Sequence, residues 1–150
     1  MSGRRLALAS LVSLAIAGAM ASVRAECATP GIEEEFRLSG AVFLGRATDQ
    51  SVLTDVTPWQ TETTFDVERL WKGETDTDRR FRVRTCGGVV GDKALNCGES
   101  FRFVPGTQYV VFADGNPLAT NTCHHTAAAW TDQAKTTLGW LSTKASRRLQ

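Results

Sequence analysis

The order of hydrophobic patterns along the chain predicts strands first and a helix last. Ala41-Val42-Phe43-Leu44-Gly45 is an unbroken apolar run that continues through Arg46, Ala47 and Thr48. A run without alternation predicts a strand buried on both faces. Gly45 inside it predicts a bulge or a tight bend. The polar stretch 49–58 reads as a turn region. From 61 to 71 the pattern alternates, with Thr63, Phe65, Val67 and Trp71 on one side and Glu62, Thr64, Asp66 and Glu68 on the other. Arg69 falls on the apolar parity, so it either snorkels or marks a change of register. Residues 80–85 alternate without a fault. Phe81, Val83 and Thr85 are predicted inward, and Arg80, Arg82 and Arg84 outward. Residues 86–96 read as a glycine-rich loop. Two further strands are predicted at 100–104 and 108–113, around a Pro105-Gly106 turn, and Asp114-Gly115-Asn116-Pro117 makes a second turn.

Helical signals flank these strands. Residues 33–37 open a short helix or an extended lead-in. Residues 126–141 carry helical spacing, with Ala129, Trp130, Ala134, Leu138 and Leu141 as the apolar face. Thr126 is the expected N-cap, and Gly139 weakens the last turn. The expected fold is mainly β: five or six short strands, then a C-terminal α-helix. A small closed barrel of the oligonucleotide/oligosaccharide-binding (OB) type removes the open edges such strands would leave.

The amino terminus changes the picture of where this fold works. Arg4 and Arg5 precede an apolar run at 6–21 that only Ser10, Ser13 and Gly18 interrupt. Small residues follow, and two cleavage positions fit, after Ala21 and after Ala25. Residues 1–25 therefore read as a cleavable export signal, too short in its apolar core for a membrane span. Ala25 and Glu26 stand where a lipobox would precede Cys27. The domains expected are the signal at 1–25, one compact module at 26–142, and a basic, frayed tail at 143–150. Of 17 Lys and Arg, Arg4, Arg5 and Arg24 leave with the signal. The remaining 14 face 16 acidic residues, a net charge of −2. That balance argues against nucleic acid or an anionic membrane as partner.

Cys27, Cys86, Cys97 and Cys123 all lie in the exported part, and an even count there favours two disulfides. Zinc is the competing use, with His124 or His125 as further ligands. The spacing lacks the paired Cys-x-x-Cys of closed zinc sites, so no metal and no cofactor is expected. His124 and His125 are the only histidines. On a strand, neighbours point to opposite faces, so the two read as polar surface residues rather than one site. No nucleophile elbow, His-Glu-x-x-His or paired-carboxylate pattern appears, and no catalytic residue is expected. Most of the aromatic residues Phe43, Phe65, Trp71, Phe81, Phe101, Phe103, Tyr109 and Phe112 read as core rather than as a base-stacking platform. Arg80, Arg82 and Arg84 form a candidate surface-binding stripe, or the wet face of a strand opposite acidic neighbours.

An ordered set of segments resembles a known family. It comprises Ala41-Val42-Phe43-Leu44-Gly45, Phe65-Asp66-Val67-Glu68-Arg69-Leu70-Trp71-Lys72-Gly73, Cys97-Gly98, Phe101, Gly106, Tyr109-Val110-Val111 and Thr122-Cys123. Together they resemble the netrin-module-like domains related to tissue inhibitors of metalloproteinases, in particular their bacterial secreted relatives. The resemblance covers 27 to about 130. It implies an OB-type barrel packed on helices, a secreted or envelope location, and a zinc metalloprotease as protein partner. In the animal inhibitors a terminal Cys-x-Cys places a free α-amine and carbonyl on the protease zinc. Here Glu26-Cys27-Ala28 stands at that place, with a single cysteine. The resemblance implies that Cys27 is the second of the two, pairs with Cys123, and leaves Cys86 to pair with Cys97. The protease-contacting terminus is then Glu26, Cys27 and Ala28, with Glu26 as donor of an amine and a carboxylate. The alternative is a non-inhibitory envelope or extracellular module that binds protein or glycan.

Overall fold

Ala41, Val42 and Phe43 are each at most 1% exposed, so apolar groups must cover the first strand on both faces. The sheet is built around that demand. The computed structural model describes residues 27–148. The expected signal at 1–25, its two expected cleavage positions after Ala21 and Ala25, and Glu26 lie outside the described residues. In chain order come α1 (Ile32–Leu38), β1 (Ala41–Leu53), β2 (Gln60–Lys72), β3 (Arg80–Cys86), β4 (Gly88–Val90), β5 (Lys93–Leu95), β6 (Gln108–Ala113), β7 (Ala127–Ala128), α2 (Asp132–Leu141) and β8 (Arg147–Arg148). The main sheet is antiparallel in the order β3-β2-β1-β6-β7. Within the 143–150 tail, β8 pairs with β2 at Arg69 and Leu70.

Two apolar clusters cover the two faces of β1 and β6. Ala41, Phe43 and Ala47 join Phe65, Val67, Leu70, Phe81, Val83, Phe103, Tyr109 and Val111 on one side. Val42, Val110 and Phe112 join Ala134 and Leu141 on the other, with Ile32 and Phe36 of α1 and Leu138 and Trp140 of α2 packed against them. Phe36 meets Trp140 edge-on at 5.5 Å between centroids, so the two helices cover this second face together. Gly45 sits where the β1–β2 register shifts, between Leu44 and Gly45. A Cβ there would lie 2.8 Å from the Asp66 carbonyl oxygen and 3.2 Å from the Phe43 ring, so only glycine admits the close approach.

Several expectations need correction. No closed barrel is found among the described residues. β3 remains an edge strand of the ladder and meets the segment after β6 through the isolated bridge from Arg84 to Ala119, which is itself bridged to Asp114. The alternation of β2 does not run through to Trp71. The shift between Leu44 and Gly45 skips Glu68 and so passes the inward role from position 69 to Leu70, and Trp71 packs on the helix side. Residues 49–53 extend β1 instead of turning. Residues 86–96 form the hairpin β4–β5, turned at Gly91 with φ +60° and tied at its base by Cys86–Cys97. Residues 100–104 are not a strand, because side chains take the backbone groups a ladder would use. The Tyr109 hydroxyl accepts from the Val104 N–H at 2.9 Å, and Gln50 Nε2 donates to the Phe103 carbonyl at 3.0 Å.

The last helix starts later than its spacing indicates. Its N-cap is Thr131, whose hydroxyl accepts from the Ala134 N–H at 3.2 Å, not Thr126. Thr126 is spent on the sheet: its hydroxyl accepts from the Phe112 N–H at 2.9 Å and donates to the Phe112 carbonyl at 3.0 Å. Ala127 and Ala128 then pair with β6 and cover its edge. Trp130 is consequently outside the helix and 74% exposed instead of on its apolar face.

Phe65 is fully buried and its ring touches those of Phe43, Phe103 and Tyr109. Urea denaturation of Phe65→Ala should show a loss of about 3–5 kcal/mol. Val89→Ala, at the exposed hairpin tip, should stay within about 0.5 kcal/mol of the parent.

Candidate functional site

The amino-terminal end of the described chain is held at two neighbouring points. The first is the Cys27–Cys123 disulfide, which spans 96 residues with Cα atoms 5.2 Å apart. The second grows out of α1. Ile32 and Phe36 lie one turn apart and pack on the helix-side cluster. Glu35 falls on the same face and is only 2% exposed. A carboxylate so placed needs donors to offset the loss of water. His124 supplies Nδ1 to Oε1 at 2.9 Å. The His125 backbone N–H reaches both carboxylate oxygens, at 2.9 and 3.1 Å, and the His125 Nδ1 also contacts Oε2. An ionised carboxylate only accepts, so each imidazole presents its Nδ1–H to it.

Burial acts to raise the Glu35 pKa. The hydrogen bonds from His124 and His125 outweigh burial and hold it below its ordinary value of 4.5. The expectation that adjacent histidines face apart is overturned, because 124–125 is a bend and not a strand. The Asn121 side chain accepts from the Cys123 N–H at 2.8 Å and the Asn121 carbonyl from the His124 N–H at 3.3 Å, which turns both rings toward Glu35. The pattern Ile32-x-x-Glu35-Phe36 held the signal for this, since it puts an acid on the apolar face of a helix.

Between the two anchors, Ala28 and Thr29 are exposed and Pro30 is half-buried. The Thr29 N–H donates to the Cys27 carbonyl at 2.8 Å, and the Glu35 N–H to the Gly31 carbonyl at 2.9 Å. The far end of α1 is fixed as well, because the Lys72 ammonium donates to the carbonyls of Phe36 and Arg37 at 3.0 and 2.8 Å. Chemically the cluster is a clamp. Among the described residues both Nδ1 atoms go to Glu35, and no hydroxyl or thiol is bonded to either ring.

The three arginines of β3 are not equivalent. Arg80 pairs with Asp66 at 3.0 Å and Arg84 with Glu62 at 2.9 Å, each directly across from its partner on β2. Arg82 lies opposite Thr64 and has no ion pair among the described residues. Arg84 also borders a cavity of about 860 Å³ shared with Gln60, Glu99, Asn121 and the Cys86–Cys97 disulfide. Cys27, Cys123 and Glu99 bring three donor atoms within 4.8 Å of one another. Both sulfurs are consumed in the disulfide, so a single exposed carboxylate remains and the donor set does not fit a metal.

Among the described residues no helix is long and apolar enough to cross a membrane. Comparison with protein-family models, curated proteins and solved structures finds no match. The functional reading rests on the residues and their geometry.

A carboxylate with a lowered folded-state pKa adds stability that is present above its unfolded value of 4.5 and is lost as pH falls through the folded value. Glu35→Gln should lower stability at pH 7 by about 1–3 kcal/mol, since an amide cannot accept from all these donors. The gap between parent and variant should narrow as urea melts are repeated at successively lower pH below 4.5. A gap that does not change with pH would contradict the assignment.

Proposed function

We propose that the chain is exported, cut after Ala21 or Ala25, and acts outside the cytoplasm as a disulfide-stabilised protein-binding module. The proposed kinship is with the tissue inhibitors of metalloproteinases, and the proposed partner is a zinc metalloprotease. The observation that carries the reading is the double anchoring of the terminal segment, by Cys27–Cys123 on one side and Glu35 with His124 and His125 on the other. A segment held at both ends loses little entropy on docking, which favours a rigid ridge at Ala28 and Thr29 as the part a protease cleft receives. An OB-type arrangement belongs to the same proposal. It is supported by the bridges at Ala119, through which β3 meets the segment following β6.

The terminus defines how such inhibition would work. Cys27 is internal for either cleavage position, so a terminal cysteine does not supply the metal-binding amine. After cleavage at Ala25 the free amine belongs to Glu26, whose carboxylate offers a second donor to the protease metal. The metal itself enforces loss of the ammonium proton. No side chain of the module is assigned a catalytic role. The second reading, a non-inhibitory envelope or extracellular module that binds protein or glycan, is favoured by one observation, the exposed indole of Trp130. The Arg80, Arg82 and Arg84 stripe supports it less, because two of its three charges are already paired.

Mature protein beginning at Glu26 should inhibit at least one member of a panel of zinc endopeptidases at micromolar concentration. Acetylation of its α-amine should abolish that inhibition. No inhibition across the panel would remove the protease-inhibitor reading and leave the second one standing.

A further inference from the structure

Trp130 is the most exposed large hydrophobic residue among those described, at 74%. Its backbone is not loose. The Ala129 N–H donates to the Gln108 carbonyl at 2.8 Å, and the Thr131 N–H and hydroxyl both donate to the Ala128 carbonyl, at 2.9 and 2.8 Å. The indole is therefore presented on a fixed turn between β7 and α2. Among the described residues neither another ring nor a cation packs on it. A single exposed apolar side chain is ordinary on a protein surface, so it is the polar groups gathered beside the indole that point to a ligand.

The surroundings indicate which ligand. Trp130 shares a shallow cavity of about 430 Å³ with Arg46, Gly106, Thr107, Gln108 and Ala129. Arg46 and Gln108 face each other directly across β1 and β6, so both project from paired strands rather than loops. One guanidinium nitrogen of Arg46 donates to the Gly106 carbonyl at 2.6 Å, and Arg46 has no carboxylate partner among the described residues. Its remaining N–H groups are free for a planar anion. The Gln108 amide nitrogen donates to Glu68 at 2.6 Å, which leaves the amide oxygen as an acceptor. An apolar aromatic face, one arginine without an ion pair among the described residues, and one acceptor oriented by Glu68 make a composite surface. The cavity is shallow and does not form the well-packed, fully desolvated pocket that a protein hot spot occupies. A sugar ring has a complementary shape: an apolar C–H face for the indole, hydroxyls for Gln108, and in an acidic sugar a carboxylate for Arg46.

We propose that Trp130, Arg46 and Gln108 form a binding site for an acidic saccharide, a glycan carrying uronic-acid-type carboxylates. The site gives the second functional reading a ligand class and does not depend on the terminus, so its failure leaves the protease reading intact. Isothermal titration of the mature protein with a galacturonic acid oligomer, and with a neutral glucose oligomer of equal length, tests it. The acidic oligomer should bind saturably and more tightly than the neutral one. Trp130→Ala should weaken both by about tenfold, with an unchanged melting temperature because the ring is exposed. Arg46→Gln should cut affinity for the acidic oligomer by about tenfold and remove the preference for it. Absence of saturable binding to the acidic oligomer would overturn the proposal, as would binding that Trp130→Ala leaves unchanged.

Discussion

The Glu35 carboxylate is taken almost completely out of water on the inner face of a seven-residue helix. Left without partners there, a charge would cost several kcal/mol and the helix would not dock. Two imidazoles and a backbone N–H, all from His124 and His125, make the burial tolerable. The consequence reaches beyond α1. The clamp brings the residues after Cys123 against the residues after Cys27, so the disulfide and the buried ion reinforce one junction. α1 in turn closes the helix-side core through Ile32 and Phe36, and Lys72 holds its far end.

The 123–131 segment concentrates most of the functional geometry. Cys123 carries the disulfide, and His124 and His125 hold Glu35. Thr126 bonds to both backbone groups of Phe112, Ala127 and Ala128 extend the sheet, and Thr131 caps α2. Each has a structural partner among the described residues except the Trp130 ring, which is turned to solvent. One stretch thus anchors the amino-terminal end of the described chain on one side and exposes an indole on the other.

Much of the sheet was legible because strand period is a strong signal. Phe81, Val83 and Thr85 are buried as their alternation indicates, and the 41–45 run is covered on both faces. Two of the misread parts share a cause: a side chain replaced a backbone partner. Tyr109 and Gln50 take the polar groups of 103–104, and Thr126 stands in for strand backbone at Phe112, which moves the helix start from Thr126 to Thr131. No period encodes such substitutions. His124 and His125 were misread because the alternation rule holds only on an extended strand, and an Asn121-centred turn bends the chain there. Barrel closure was inferred from the open edges that short strands leave, but the Arg84–Ala119 bridge links β3 to the residues after β6 without a continuous ladder.

If Glu35 is the joint that fixes the terminal segment, its loss should loosen that segment before the sheet. Amide hydrogen exchange of the parent and of Glu35→Gln, compared residue by residue, measures this directly. Protection in α1 should fall in the variant while Val42, Phe65 and Val111 in the sheet keep theirs. Equal protection of α1 in both proteins, or a uniform loss across helix and sheet, would contradict the role given to the Glu35 clamp.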